Sequence, residues 1–193
     1  AAIKAADLGA RVAMVERRGV TVRRLDMSRF DEEVERIHRI YSQAWAANWG
    51  AVPLTADEMR QIASDLREIA DPDLVVLAEC GGEPIGCSVT LPDINQALAR
   101  ADGKLLPFGW AKVLWERRRI RAVPVLSAGV LEPYRNRGVE AAMFFRTFEV
   151  AMSKGYQWAD MSLINESNLA TRNVAERAGG QVYKTFRIYE RPT

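Results

Sequence analysis

The chain has 193 residues, 48% of them hydrophobic and 27% charged, with a formal net charge of +2. That length supports one or two domains with a sizeable core, and the composition is ordinary for a globular protein rather than a disordered, collagenous or disulfide-stapled one. The charge balance gives no general pull toward nucleic acid or a membrane surface. No apolar run approaches the roughly 20 residues that cross a bilayer, so neither partner is expected.

In chain order, residues 1–19 read as a helix from Ala2 to Leu8, a stop at Gly9 and a strand from Arg11 to Glu16. The chain begins at Ala1, as a trimmed segment or one cut from a longer reading frame would, and 1–19 are set apart as a leader or orphan fragment. The boundary is placed at Arg18 to Val20. From there the pattern is continuous to the end. Thr21 to Leu25 alternates as a short strand, and Val34, Ile37, Ile40, Tyr41, Ala44 and Trp45 recur at helical spacing within Asp31 to Asn48. Thr55 and Glu58 form a capping-box signature for a helix reaching about Ile69, which Asp71-Pro72-Asp73 stops.

Leu74 to Cys80 and Pro84 to Leu91 are apolar, β-branched runs separated by Gly81-Gly82-Glu83, which predicts a hairpin. Cys80 and Cys87 flank that turn and read as small buried hydrophobes in a reducing, cytoplasmic setting. A helix near Asp93 to Arg100, a break at Gly103 and a helical stretch from Phe108 to about Ile120 follow. The last third alternates strand and helix: strand Ala122–Leu131, helix Gly138–Lys154, strand Trp158–Leu163, helix Asn168–Ala178 closed by Gly179-Gly180, and strand Gln181–Glu190. Together these elements predict an α+β fold with a mixed sheet.

The segment richest in chemistry runs from Val130 to Ala141, where a β-rich stretch breaks into Glu132-Pro133-Tyr134-Arg135-Asn136-Arg137-Gly138 and becomes a helix. A turn opening a helix presents unpaired N–H groups and the positive end of the helix dipole, which suits a phosphate. Arg135 and Arg137 add to that field.

The spacing Arg135-x-x-Gly138 after a hydrophobic strand resembles the pyrophosphate-binding motif of the GNAT acyltransferase superfamily, over roughly Val20 to Pro192. That resemblance implies a splayed mixed β-sheet flanked by helices, and acetyl-CoA or another acyl-CoA as cofactor. It places the pantetheine arm along Leu126 to Leu131, including Gly129, Val130 and Leu131. It puts the pyrophosphate at Arg135, Asn136, Arg137, Gly138, Val139, Glu140 and Ala141, with Asn165 and Asn168 beside the cofactor arm. Trp45 to Gly50, Leu105 to Trp110 and Arg187 to Glu190 look most like a poorly characterised branch whose members are often about twice this length.

Two positions depart from the superfamily pattern. Glu140 stands where Gly or Ala normally lies against the phosphates, and a carboxylate there repels them unless it turns outward. Ala175 stands seven residues after Asn168, where many members carry the tyrosine that protonates the leaving thiolate. Aminolysis also needs a base, and Ala122 to Leu131 contains none. Glu132 and Glu79 are candidates with a surface reading beside them, and Tyr183 and Tyr189 are candidate acids that also read as half-buried strand aromatics.

Trp45, Trp49, Phe108 and Trp110 could line an acceptor pocket, or with Trp115 pack helices or a dimer surface. Arg117-Arg118-Arg119 with Arg121 and Lys112 forms a basic patch that fits an acidic substrate, the CoA 3′-phosphate or a solvated helix face. His38 is the only histidine and has no metal-ligand spacing around it. Residues 1–16 also resemble the first helix and second strand of an FAD-dependent pyridine-nucleotide disulfide oxidoreductase, with Glu16 as the ribose acid. The phosphate-binding glycines are missing, so FAD is not expected. The expected function is a cytoplasmic acyl-CoA-dependent N-acyltransferase acting by direct transfer on a small amine, paired as a homodimer. The alternative is a GNAT-like acyl-CoA-binding or protein-interaction module without turnover.

Overall fold

The β-branched runs of the sequence become five strands in one sheet: β1 (Val20–Arg24), β2 (Val75–Cys80), β3 (Glu83–Thr90), β4 (Ala122–Val130) and β5 (Trp158–Asp160), in spatial order β1-β2-β3-β4-β5. The first three pairings are antiparallel and β4 with β5 is parallel, so the sheet is mixed and the fold α+β. This computed structural model describes residues 10, 12–13, 15–46, 52–101, 108–166, 168–187 and 189. The expected helix Ala2–Leu8, the break at Gly103 and Trp49 lie outside the described residues.

Gly81 and Gly82, at φ +59° and +85°, make the tight hairpin between β2 and β3, a conformation that suits the twist of the strands. Those two strands are buried on both faces because helices cover both sides. Helix α1 (Phe30–Ala44) lays Ile40 and Ala44 against Val75, Leu77 and Cys87. The opposite face carries Val76, Ala78 and Val130, covered by Val139, Ala142 and Met143 of α5 (Val139–Ser153). Between them in sequence lie α2 (Ala56–Leu66), α3 (Ile94–Arg100) and α4 (Gly109–Glu116), and α6 (Leu169–Arg177) follows β5.

Local signals hold where they are strong. The capping box forms, with Thr55 N donating to Glu58 Oε2 at 2.8 Å and Glu58 N to Thr55 Oγ1 at 3.2 Å, although α2 ends at Leu66 rather than Ile69. Gly179, at φ +94°, closes α6, and Gly180 N donates to Ala175 O at 2.8 Å. An ion network ties α1 to the sheet: the Arg23 guanidinium reaches Glu33 Oε2 and Glu79 Oε1, both at 2.6 Å, and Arg36 Nη1 reaches Glu33 Oε1 at 3.1 Å. Glu33 is 1% exposed, and its hydrogen bond raises the Arg23 pKa above the ordinary value. A buried carboxylate is tolerated because it is paired.

Three expected strands are corrected. At 11–16, the described residues 12, 13, 15 and 16 are helical. Spacing of i to i+3 puts Val12 and Val15 on one face, where Val15 is buried with Val20 and Val139 and Val12 packs against the same cluster. The packing thus crosses the boundary expected near residue 19, and the strand that would carry Glu16 as a flavin ribose ligand does not form. At 158–163, pairing stops at Asp160: Ser162 adopts φ +56° and its N–H folds back to Asp160 Oδ1 at 2.9 Å. At 181–190, residues 181–187 and 189 form no strand. Alternation supplies a face to bury but no ladder partner, and every described side chain from 181 to 187 is exposed.

Candidate functional site

The site is built where β4 leaves the sheet. Leu131 N donates to Ile85 O at 2.9 Å as the last bond to β3, and Pro133 starts a 3₁₀ turn over Glu132–Tyr134. Asn136 and Gly138 then take positive φ, +60° and +87°. Asparagine tolerates that region, and at Gly138 a Cβ would in addition crowd Val15 Cγ2 at 3.2 Å. The first helical bond of α5 is Ala142 N to Gly138 O, 3.0 Å. The amides of Val139, Glu140 and Ala141 therefore have no acceptor among the described residues. Three adjacent N–H groups stand at the positive end of a 15-residue helix, an arrangement that can cradle an anion.

The strand leading into that turn has one open edge. Cys87 pairs with Gly129 and Val89 with Ser127, and the Leu131–Ile85 bond fixes the phase, so the backbone groups of Ala128 and Val130 face away from β3. β5 covers that side only from Ala122 to Pro124. Just beyond, Ser162 Oγ donates to Val125 O at 2.8 Å, and the two chains separate. Among the described residues no ladder joins β4 to the chain after Asp160, so the β4 edge from Leu126 to Val130 is left unpaired on that side. Peptide-like amides lying along that edge could pair with β4, and an anion could sit at the α5 amides that follow it.

Arg135 has a role that spacing alone does not suggest. Its Nε donates to Val130 O at 3.0 Å and its Nη2 to Ala44 O at 2.7 Å, so the guanidinium clamps the turn to the end of α1. Arg137 is exposed, its guanidinium 5.8 Å from the Tyr134 ring centroid. Glu140 is half-buried, and burial raises its carboxyl pKa while the Arg135 charge opposes that rise. The Arg135 side chain thus belongs to the turn's internal structure. Trp45 stacks on Tyr41 with centroids 5.4 Å apart and lies against the strand: a Cβ on Gly129 would meet Ala44 Cβ at 3.0 Å and Trp45 Nε1 at 3.2 Å. A glycine inside a strand marks such a close approach, which is the signal that could have located this contact.

The other candidate residues are dispersed. Asn168 caps α6, its Oδ1 accepting from Thr171 N at 3.2 Å, and its own N–H donates to Asn165 O at 2.9 Å. Asn165 is exposed. Glu132 is exposed at the 3₁₀ turn, while Glu79 is held by Arg23 and Arg36. Tyr183 donates to Asp160 Oδ2 at 2.7 Å, which raises its phenol pKa, and Tyr189 is 87% exposed. Ala175 lines an open apolar cavity of about 630 Å³ with Phe144, Phe148 and Trp158. Phe108 and Trp110 are exposed on and beside α4, whereas Trp45 is half-buried at β4. His38 Nε2 donates to Leu54 O at 2.7 Å, a structural tie. The Cys87 thiol is buried, which pushes its pKa up to about 12 and leaves it a poor nucleophile.

No family model matches the chain. It is 41% identical over 179 residues to the bacterial ceramide synthase of Caulobacter vibrioides, a match covering 90% of this chain and 47% of that protein. The chain thus spans about half the length of the curated relatives it matches. Among solved structures, an N-acetyltransferase from Staphylococcus aureus superposes with a TM-score of 0.57 at 19% identity, over 83% of this chain and 82% of the other. The aminoglycoside N-acetyltransferase AAC(6′)-Iy in complex with CoA gives 0.55 at 17% identity, over 90% and 95%. The fold is that of the GNAT N-acetyltransferases. These likenesses give no support to a flavoprotein fragment.

Proposed function

We propose that this chain is an acyl-CoA-binding domain that transfers an acyl group directly from the thioester to an amine. The observation that carries the reading is the row of unbonded α5 amides at Val139, Glu140 and Ala141, set at the end of the open β4 edge. The cradle fits a pyrophosphate in charge and donor geometry, and the backbone groups of Ala128 with the Val130 N–H fit the amide-bearing arm, the Val130 carbonyl being held by Arg135. The thioester supplies an activated acyl carbon. The chain's part is to hold donor and acceptor together along the unpaired β4 edge and exclude water, an entropic advantage that needs no acyl-enzyme. Attack by the amine nitrogen forms the C–N bond and breaks the C–S bond, and the proton lost by nitrogen ends on the departing sulfur.

Gly129, Val130, Leu131, Asn136, Arg137 and Gly138 complete the proposed cofactor surface, with Arg135 as its clamp and Asn165 and Asn168 at its side. The reaction is placed in the cytoplasm, where acyl-CoA is available. The CoA complex of an aminoglycoside acetyltransferase with the same fold supports an amine acceptor. The extensive identity to a protein named as a ceramide synthase favours a long-chain amine. Titration calorimetry with acetyl-CoA and palmitoyl-CoA tests the binding, and thiol release with a long-chain amino alcohol tests the turnover. Absence of heat at millimolar ligand rejects the proposal.

A second reading, binding without turnover, draws on one observation. Two of the residues that could serve as acid or base are committed elsewhere, Glu79 to two arginines and Tyr183 to Asp160, while Glu132 and Tyr189 are exposed and Ala175 lacks any polar group. CoA binding without thiol release across lipid and small amines selects it.

A further inference from the structure

Helix α4 turns its one acid inward. Glu116 is only 7% exposed and is held there by Arg100 Nη1 at 2.7 Å and Arg119 Nη1 at 3.2 Å. Fixing that carboxylate toward α3 rotates the other side of the helix outward. Trp110, Leu114 and Trp115 are consequently 54%, 53% and 62% exposed, and Phe108 just before the helix is 77% exposed. At 100° per residue, Trp110, Ala111, Leu114 and Trp115 fall on one stripe, opposite Glu116. An ordinary surface helix has the reverse arrangement.

Cations border that stripe. Residues 108–121 carry Lys112, Arg117, Arg118, Arg119 and Arg121 against the single acid Glu116, a net +4 in a chain whose total is +2. Lys112 and Arg118 are exposed, and the Arg118 guanidinium lies 6.0 Å from the Trp115 ring centroid. Large aromatics flanked by arginine and lysine on an exposed helix face match the chemistry of an anionic bilayer surface: indole and phenyl rings settle at the headgroup level while the cations meet lipid phosphates. A purely aqueous surroundings would leave this face unfavourably hydrated.

We infer that α4, with Phe108 and the basic turn after it, docks this chain on the surface of a membrane containing anionic phospholipid. Among the described residues no helix is long and apolar enough to cross a membrane, and this contact is peripheral. Whole-chain charge conceals the site because the rest of the chain is net acidic. The inference stands on α4 alone and does not depend on acyl-CoA binding.

The test is sedimentation of the purified chain with phosphatidylcholine vesicles, with and without phosphatidylglycerol. Binding to the anionic vesicles alone, a blue shift of tryptophan emission and release by added salt are expected. Lys112→Glu/Arg118→Glu lowers the partition coefficient about 30-fold or more, at roughly fivefold for each basic side chain lost near the surface. Leu114→Ser/Trp115→Ser abolishes the blue shift. Both variants keep the parent's melting temperature, and Leu114→Ser/Trp115→Ser keeps its CoA affinity, which separates this result from any failure at the cofactor site. Equal sedimentation of parent and charge variants overturns the inference. So does a soluble dimer that Leu114→Ser/Trp115→Ser converts to monomer, because the face then belongs to self-association.

Discussion

The sheet from β1 to β4 and the region from β5 through residue 187 carry comparable apolar and aromatic sequence, yet only the first is packed. Leu77, Ile85 and Met143 are almost wholly buried between α1, the sheet and α5, whereas Leu169, Val182 and Phe186 are 61%, 75% and 65% exposed. β5 contributes three paired residues, and α6 has no fully buried side chain among those described. The difference lies in partners. A strand is stabilised by its neighbours' ladder bonds and by a helix on its face, and both are present only in the first region.

Truncating the packed core should give the largest contrast. Leu77→Ala is expected to cost about 2–5 kcal/mol, while Phe186→Ala changes stability by less than about 0.5 kcal/mol. Urea melts of the two variants measure it, and similar losses would show that the second region is packed as well. Arg135→Ala comes next. Loss of the bonds to Val130 O and Ala44 O should cost roughly 1–3 kcal/mol of stability and weaken CoA binding with it. Arg137→Ala should lower CoA affinity while leaving the melt nearly unchanged, so calorimetry on both separates clamp from ligand contact.

Gly138→Ala places a Cβ at φ +87° against Val15, for an expected loss of about 1–2 kcal/mol. An unchanged melting temperature would mean that the turn relaxes freely. Glu140→Gln should have the smallest effect, and its sign depends on pH. Burial raises the Glu140 pKa above its ordinary 4.5, so protonation favours the folded state and that advantage disappears as pH rises through the folded value. The glutamine variant should be the more stable at neutral pH and level with the parent below pH 4.5. Thermal melts across that range decide it, and a less stable variant at neutral pH would assign Glu140 a stabilising contact with Arg135.

The turn that carries the proposed site was legible because its signals are local. Pro133, Asn136 and Gly138 shape a turn wherever they occur in that order, and a helix opening after it exposes amides by geometry alone. The roles of Arg135 and Glu140 were not legible. Arg135 reads as a phosphate ligand until Ala44, 91 residues away in sequence, is seen to accept its hydrogen bond. Gln181 to Glu190 reads as a strand because alternation reports a face suited to burial and nothing about who pairs with it.

The sequence by itself determined the hairpin at Gly81-Gly82, the capped α2, the amphipathic α1 and the turn that opens α5, since each depends on dihedral preference or on periodicity within a few residues. Only the tertiary structure decided where β5 stops, which residues clamp the turn, and that α4 turns Glu116 inward and its tryptophans outward. Those outcomes are set by ion pairs and ladder bonds between segments distant in the chain, and a local pattern of apolar and charged residues does not specify which of its faces a neighbour will cover.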